Sequence, residues 1–481
     1  MKTRNTKFTT ILLALGCFGL CPVAQAVSPA PDGGYPGANT AEGQNALFSL
    51  TNGGYNTGNG WNSLHTLSSG SFNTGIGAAT LFANTGDQNT AVGAAALFSN
   101  TTGINNTSNG AFALFSNTQG SFNTVTGDQA LFSNTTGSVN TAVGAGALFS
   151  NTTGDHNTAV GGDFVLFNNT TGARNTAIGT DALANNTVGN DNTACGQNSL
   201  MSNSVGIFNS ALGQGALASN TAGGGNTASG AGALFTNTGD FNTATGFQAL
   251  NDNATGGFNT AVGAGALFHN TTGGSNTAIG DAALQSNTTG SGNIAVGAST
   301  GLNVSTANNV ICIGAPGNNV DNSCYIGQIF GATSSGGTAV YINSNGRLGT
   351  VQSSRRFKED IRPMEESSEV LFALKPVTFR YKKGIDPQRI PQFGLVAEEV
   401  AKVNPDLVVR DEEGKPYSVR YEQVNAMLLN EFLKEHRTVQ EQQKEIDTLR
   451  KELKEQRGLI QKVSAQVEMS SPAPQVVVSH R

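Results

Sequence analysis

Asn140-Thr141-Ala142-Val143-Gly144-Ala145-Gly146-Ala147-Leu148-Phe149-Ser150-Asn151-Thr152-Thr153-Gly154 is one copy of a motif that recurs from Asn39 to Asn309. Its anchor asparagines, among them Asn56, Asn73, Asn89, Asn106 and Asn293, fall 16, 17 or 18 residues apart. A fixed short period marks a solenoid, whose units bury apolar surface only against their neighbours. The density of Gly, Asn and Thr, and the shortness of each apolar run, exclude helical repeats. Asn-Thr-Ala-Val-Gly reads as a short strand, with Val92, Val143, Ile178, Val262 and Ile279 as its recurrent inward residue. Leu148-Phe149 and its counterparts supply a second apolar patch. The Asn-Thr-Thr-Gly segments turn the chain, with Gly providing positive φ and Asn tolerating it. One repeat then holds roughly two strands of about five residues and two turns, a flattened parallel β-roll. At about 4.8 Å per coil the array forms a rod of roughly 75–80 Å, so the chain is expected to be mainly β.

One such coil encloses little apolar volume, and its Leu-Phe patch is only half covered in a lone chain. That favours association of several chains along the rod. The Asn-Thr-Ala-Val-Gly repeat with its following Ala resembles the head repeats of trimeric autotransporter adhesins, which implies β-rolls packed around a three-fold axis. This repeat is longer than the usual head repeat, and the membrane-anchor barrel of that family is absent.

Charge is segregated. Between residues 8 and 346 the only Lys or Arg is Arg174, against twelve acids; from Arg347 onward there are 23 basic and 21 acidic residues. An acidic array without a basic stripe argues against nucleic-acid and anionic-lipid partners. Ahead of the array, Lys2, Arg4 and Lys7 precede an apolar run from Phe8 to Leu20 and a small-residue site at Ala24-Gln25-Ala26. This reads as a signal peptide over residues 1–26, followed by a linker over 27–38, and implies export to the cell surface or medium. A lipoprotein signal at Gly16-Cys17 fits less well, because Ala14 stands where a bulky apolar residue is usual. No later stretch is long and apolar enough to span a membrane as a helix.

Within the array, Cys195 replaces the Val or Ile of its repeat and reads as a buried thiol, while Cys312 and Cys324 form a candidate disulfide. The five histidines are scattered without metal-ligand spacing, so no metal or cofactor is expected. The Asn-x-Thr sequons read as turn motifs rather than glycosylation sites. Asp163 and Asp181 share a repeat position in successive coils, where carboxylates about 5 Å apart are the spacing of a retaining glycosidase; an exposed acid pair at a turn is the preferred reading. A threonine ladder suited to ice or a crystalline surface ranks lower still.

The repeat decays over residues 310–352, and a charged module of residues 353–421 begins at Ser353-Ser354-Arg355-Arg356-Phe357-Lys358-Glu359-Asp360-Ile361. A small α+β domain is expected: helix 366–374, strands 377–381 and 393–396, helix 398–403, and a hairpin around Glu413-Gly414. A helix from Glu422 onward carries Phe432, Val439, Ile446, Leu453, Ile460 and Val467 at one heptad position. Leu428, Gln442, Leu449, Gln456 and Val463 hold the companion position, which predicts a coiled coil over 422–469 before a disordered tail, 470–481. A trimer matches the array, a dimer remains open, and a helix folded onto its own domain is the alternative.

Ser353 and Lys358 have the residue types of a nucleophile and base, in which a desolvated lysine takes the serine proton. Residues five apart meet only if a turn lies between them. On spacing alone the stretch reads as a solvated basic turn. The module also resembles the intramolecular chaperone domain of phage endosialidase tailspikes, which is found in myelin regulatory factor too. The resemblance rests on the Ser-x-x-Arg-x-Lys opening, Lys375-Pro376-Val377, Phe393-Gly394-Leu395-Val396-Ala397-Glu398-Glu399-Val400, Asn404-Pro405 and Tyr421. It implies a trimeric β-fibre that the module helps to fold and then leaves by cutting itself off. Ser353 is then the nucleophile, Lys358 its base, and Gln352–Ser353 the scissile bond. Ser354 stands where the family commonly has Asp and is a lesser candidate nucleophile. The rival functions are a tailspike-like glycan-degrading enzyme with its site on the array, and an uncleaved structural or binding oligomer.

Overall fold

The computed structural model describes residues 35–343 and 345–470. The signal peptide, most of the linker and the tail beyond Ser470 lie outside the described residues. The chain divides after Ala332 into two compact units.

The first unit is a parallel β-solenoid. Eighteen three-residue strands, from Thr40–Glu42 to Cys324–Ile326, each pair in register with the next. The regular coils therefore run past Asn309 through strands Ile311–Ile313 and Cys324–Ile326, further than the repeat suggests. Each coil holds one short strand rather than two of about five residues, and a compact turn built around Leu forms the opposite wall.

Which residue faces inward also differs from expectation. A three-residue strand has one inward position, its middle, because successive side chains alternate sides. Ala91, Ala142, Ala177 and their counterparts fill it and are fully buried. Val143, Ile178, Val262 and Ile279 therefore point outward, and Ile178 is 42 % exposed. The interior is narrow: the Ser108 hydroxyl in the middle position reaches the Ala113 carbonyl across the coil at 3.0 Å. Alanine fits behind a strand there because leucine fills the space from the other side. Leu97, Leu114, Leu131 and Leu148 are completely buried, each at positive φ near 50°. A left-handed leucine is strained, and its burial offsets that strain.

The asparagines of the Asn-Thr-Thr-Gly turns, such as Asn134 and Asn151, are not at positive φ, and the anchor asparagines have a structural role that the repeat does not reveal. They form a buried ladder in which each Oδ1 accepts the backbone N–H of the next anchor; Asn123 accepts from Asn140 at 3.0 Å and Asn140 from Asn157 at 2.9 Å. Their Nδ2 groups donate to the carbonyl of a turn residue, usually glycine, as Asn140 does to Gly154 at 2.9 Å and Asn293 to Ala307 at 2.8 Å. A second ladder runs through Asn84, Asn100, Asn117, Asn134 and Asn151, linked amide to amide at 2.6–2.9 Å. Together they satisfy the polar backbone that each turn carries into the interior. The sequon asparagines of this second ladder are fully buried, so folded coils do not present them to a glycosylating enzyme. Gly144, at φ 133°, illustrates the close stacking of coils: a Cβ there would lie 1.8 Å from the Gly161 carbonyl oxygen.

The cysteine readings change as well. Cys312 occupies a buried middle position and Cys324 an exposed first position, on opposite sides of adjacent strands, and both thiols are free. Burial pushes the Cys312 thiol up. Cys195, at an outward third position, is half-buried rather than buried.

The second unit carries a hairpin of Tyr341–Ile342 with Leu348–Gly349, then a 3-10 segment Glu365–Ala373 and an antiparallel pair Val377–Phe379 with Gln392–Gly394. Helix Ala397–Val403 follows, then a second antiparallel pair, Val408–Arg410 with Pro416–Val419, and a long helix, Tyr421–Ser470. Val400, Leu407, Val408 and Val419 form its small core, against which Val424 and Met427 of the long helix pack. Beyond that contact Val439, Ile446, Leu453 and Ile460 are exposed.

Candidate functional site

Ser353 and Lys358 bracket a single 3-10 turn, Arg355–Phe357. The Phe357 N–H donates to the Ser354 carbonyl at 3.0 Å, and the Lys358 N–H to that of Arg355 at 3.1 Å. The intervening turn that the spacing demands is therefore present. Arg356 lies over the Phe357 ring at 4.6 Å, a stacking that holds its charge beside the turn. Every residue from Val351 to Pro363 is exposed. Among the described residues neither the Ser353 hydroxyl nor the Lys358 ammonium has a side-chain hydrogen bond or ion pair. The single chain thus supplies the turn and the residue types but not a closed nucleophile–base contact.

Sequence reasoning missed a polar clamp that fastens the long helix to the 3-10 segment. Ser368 is fully buried and donates to the Glu431 carboxylate. Asn430 donates from Nδ2 to Ser368 Oγ at 2.7 Å and to the Glu365 carbonyl at 3.0 Å. Lys434 closes the set, 2.8 Å from Glu431 and 3.4 Å from Glu369. More than sixty residues separate the two halves of the clamp, and no local pattern marks it. Tyr421 makes a second tie by accepting the Leu395 N–H at 3.0 Å. A Cβ at Gly394 would lie 2.8 Å from the Tyr421 hydroxyl oxygen, so a larger residue there would displace the tyrosine from this tie.

The Lys434 ammonium and then the Ser368 hydroxyl hold the Glu431 carboxyl below its ordinary 4.5, and Glu431 in turn raises Lys434 above 10.5. The depressed acid contributes stability that is present above pH 4.5 and is lost as pH falls through that value and through the lowered one. The raised lysine contributes below 10.5 and loses its share only on alkalinisation beyond its raised value. Acidification below pH 4.5 is expected to loosen the contact between the long helix and residues 365–373, read as faster amide exchange in that segment. Glu431→Gln should remove most of this pH dependence. Equal acid sensitivity in both proteins would assign the loosening elsewhere.

In the array, Asp163 and Asp181 do lie in register, with the Asp181 N–H donating to the Asp163 carbonyl at 3.3 Å. Asp163 is exposed and Asp181 half-buried. The only basic side chain of the array, Arg174, holds Asp191 of the next coil in a two-point pair at 2.6 and 2.9 Å. Its hydrogen bonds keep that carboxyl below the usual range. Among the described residues no group of three or more His, Cys, Asp or Glu could hold a metal ion, and no helix is long and apolar enough to cross a membrane.

With this geometry in place, comparison with known proteins speaks for the second unit. Residues 353–409 match the family model described as the chaperone of endosialidase. The matched segment opens on Ser353 and closes in the second antiparallel pair. The chain thus joins a long parallel β-solenoid to a C-terminal segment of endosialidase-chaperone type. No curated protein matches the chain.

Proposed function

We propose that the chain is the subunit of an exported, adhesin-like β-fibre, assembled as a homotrimer by its C-terminal module, which then releases itself at Gln352–Ser353. The observation that carries this reading is the outward file of β-branched residues along the solenoid. Val262, Ile279, Val296, Ile313 and Ile326 stand at the third position of five successive in-register strands, each about two-fifths exposed. A continuous apolar file over five coils, with a shorter run of Val143, Val160 and Ile178 upstream, is a contact surface. Other copies of the same file, repeating at the same rise, complement it. The exposed heptad residues of the long helix fit the same assembly as a coiled coil.

In this mechanism the Ser353 hydroxyl oxygen adds to the Gln352 carbonyl carbon while neutral Lys358 takes its proton. The proton passes to the Ser353 nitrogen as the peptide bond breaks, leaving the Gln352 acyl group on Ser353 Oγ. Water then hydrolyses that ester, giving a new carboxylate at Gln352 and a free amine at Ser353. A lysine becomes a base only when it is taken out of water. Lys358 is exposed in one chain, so neighbouring chains must supply its burial, and cleavage becomes a reporter of assembly. Low-charge repetitive coils pair readily out of register, and a trimerising base that sets three chains level counters this. Its removal afterwards leaves a fibre that cannot easily retrace its path.

Expression of the chain with and without residues 353–481 tests the assembly half of the proposal. The full chain is expected to yield a discrete trimer by light scattering, and the truncated one monomers and heterogeneous aggregates. Equal trimer yield from both would remove the chaperone role.

A further inference from the structure

Across the interior from the strands, the residue after each buried leucine forms a second file. In the first eight coils that file is an unbroken stack of rings. Phe48, His65, Phe82 and Phe98 lie parallel with centroids 5.0–5.3 Å apart, and the stack continues through Phe115, Phe132 and Phe149 to Phe167. Within the stack the ring faces are occupied by one another, while the end ring, Phe48, stays 69 % exposed. Beyond Phe167 the file changes to Ala184, Met201 and Ala218 before Phe235 restores an aromatic. The backbone register is undisturbed there: the Ser202 N–H donates to the Ala218 carbonyl and the Ser219 N–H to the Phe235 carbonyl, each at 2.9 Å. The missing rings therefore leave a depression rather than a collapsed wall.

That depression has a volume of about 480 Å³, within the roughly 300–1,000 Å³ of small-molecule sites. Gly215 and Gly232, at φ near 66°, contribute no side chains to its floor. Phe235 and Phe247 border it, 41 % and 59 % exposed, and neither is stacked on another ring. Gln214, Gln248 and Asn198 also line it, and among the described residues their side-chain amides hydrogen-bond to nothing. Asn251 is held in place by its amide donating to the Gly232 carbonyl at 3.0 Å. No charged side chain lines the site.

We infer that this break in the aromatic file is a binding site for a neutral saccharide, one or two pyranose rings of a longer glycan. An unstacked phenylalanine face suits the C–H face of a sugar ring, as the rings inside the stack, covered on both faces, do not. Carboxamides both donate and accept, which matches vicinal hydroxyl groups. The absence of any cation, in an array whose one basic side chain is already paired to Asp191, turns away anionic sugars and phosphates. The saccharide site goes beyond the fibre reading and stands apart from the self-cleavage, in which it takes no part.

The test uses the full chain, titrated calorimetrically with hexaoses of glucose, mannose, galactose and N-acetylglucosamine, and with a sialylated trisaccharide as the anionic comparison. Ala218→Phe supplies the ring that this position carries in most of the earlier coils, so it closes the depression with a residue the coil already accommodates. Binding of at least one neutral hexaose is expected, weakened at least tenfold by Ala218→Phe and by Phe235→Ala, with the far-ultraviolet spectrum of Ala218→Phe unchanged. Binding that is indifferent to Ala218→Phe would place the sugar elsewhere and overturn the assignment. So would preference for the sialylated sugar, or no binding by any neutral hexaose. Loss of self-cleavage in the same preparations bears on the fibre reading alone.

Discussion

Ser353→Ala is expected to leave the purified protein as one full-length species by denatured intact mass, where the parent yields two fragments meeting at Gln352–Ser353. Removing a nucleophile removes the pathway, and losses of at least about 10³-fold in rate are usual for such changes. Lys358→Arg should be as silent as Lys358→Ala, because a guanidinium does not give up its proton and cannot act as the base. The exposure of both side chains in the single chain adds a second expectation. Dilution or mild denaturant that keeps chains apart should stop cleavage in the parent without touching the turn at Arg355–Phe357. The same two fragments from Ser353→Ala would exclude Ser353 and bring Ser354, one residue along, into question. Full-length mass in every variant and in the parent would leave the module as a permanent base for the fibre, and the peptidase chemistry would be withdrawn.

The contrast between array and module shows where sequence is a sufficient guide. The period of anchor asparagines determines a parallel solenoid because only in-register stacking repeats the same contacts every coil. Hydropathy misled on direction: Val143 and Ile178 are more apolar than Ala142 and Ala177, yet the alanines are inside. Strand alternation permits one inward side chain in three, and Leu148 already fills the space behind it, so volume decides rather than hydrophobicity. The anchor asparagines are legible as a period but not as a buried hydrogen-bonded column, because a strand reading does not say that the residue before the strand turns its amide inward. In the module the strands, the short helix and Tyr421 follow from local pattern and resemblance. The clamp of Ser368, Asn430, Glu431 and Lys434 does not, since its members lie more than sixty residues apart. Ser353 and Lys358 are legible as residue types, whereas the burial that would make a base of Lys358 belongs to an assembly that one chain does not contain.

The asparagine column predicts the largest stability effect in the array, and Asn140→Asp isolates it. Asn140 is fully buried; it donates from Nδ2 to the Gly154 carbonyl at 2.9 Å and to Asn123 Oδ1 at 3.2 Å, and accepts from Asn157. A carboxylate keeps the acceptor but loses both donations, setting its oxygens against two buried acceptors. Its charge has no cation within the coil to meet it. The expected cost is about 3–5 kcal/mol, the scale of an uncompensated buried charge or a broken buried pair. Because each coil contacts only its neighbours, the loss should appear as a second unfolding transition rather than a uniform shift of the whole array. Lowering the pH should restore part of the stability, since a protonated acid recovers one donor. Asn190→Asp is the matched control. Asn190 Oδ1 accepts the Ala173 N–H at 2.8 Å near the surface, and Asp155 already does the same for Ser138. That substitution is expected to be nearly neutral in urea melts. If the two variants melt alike, the asparagine column adds nothing to stability, and the interior of the rod is held by its alanine and leucine files alone.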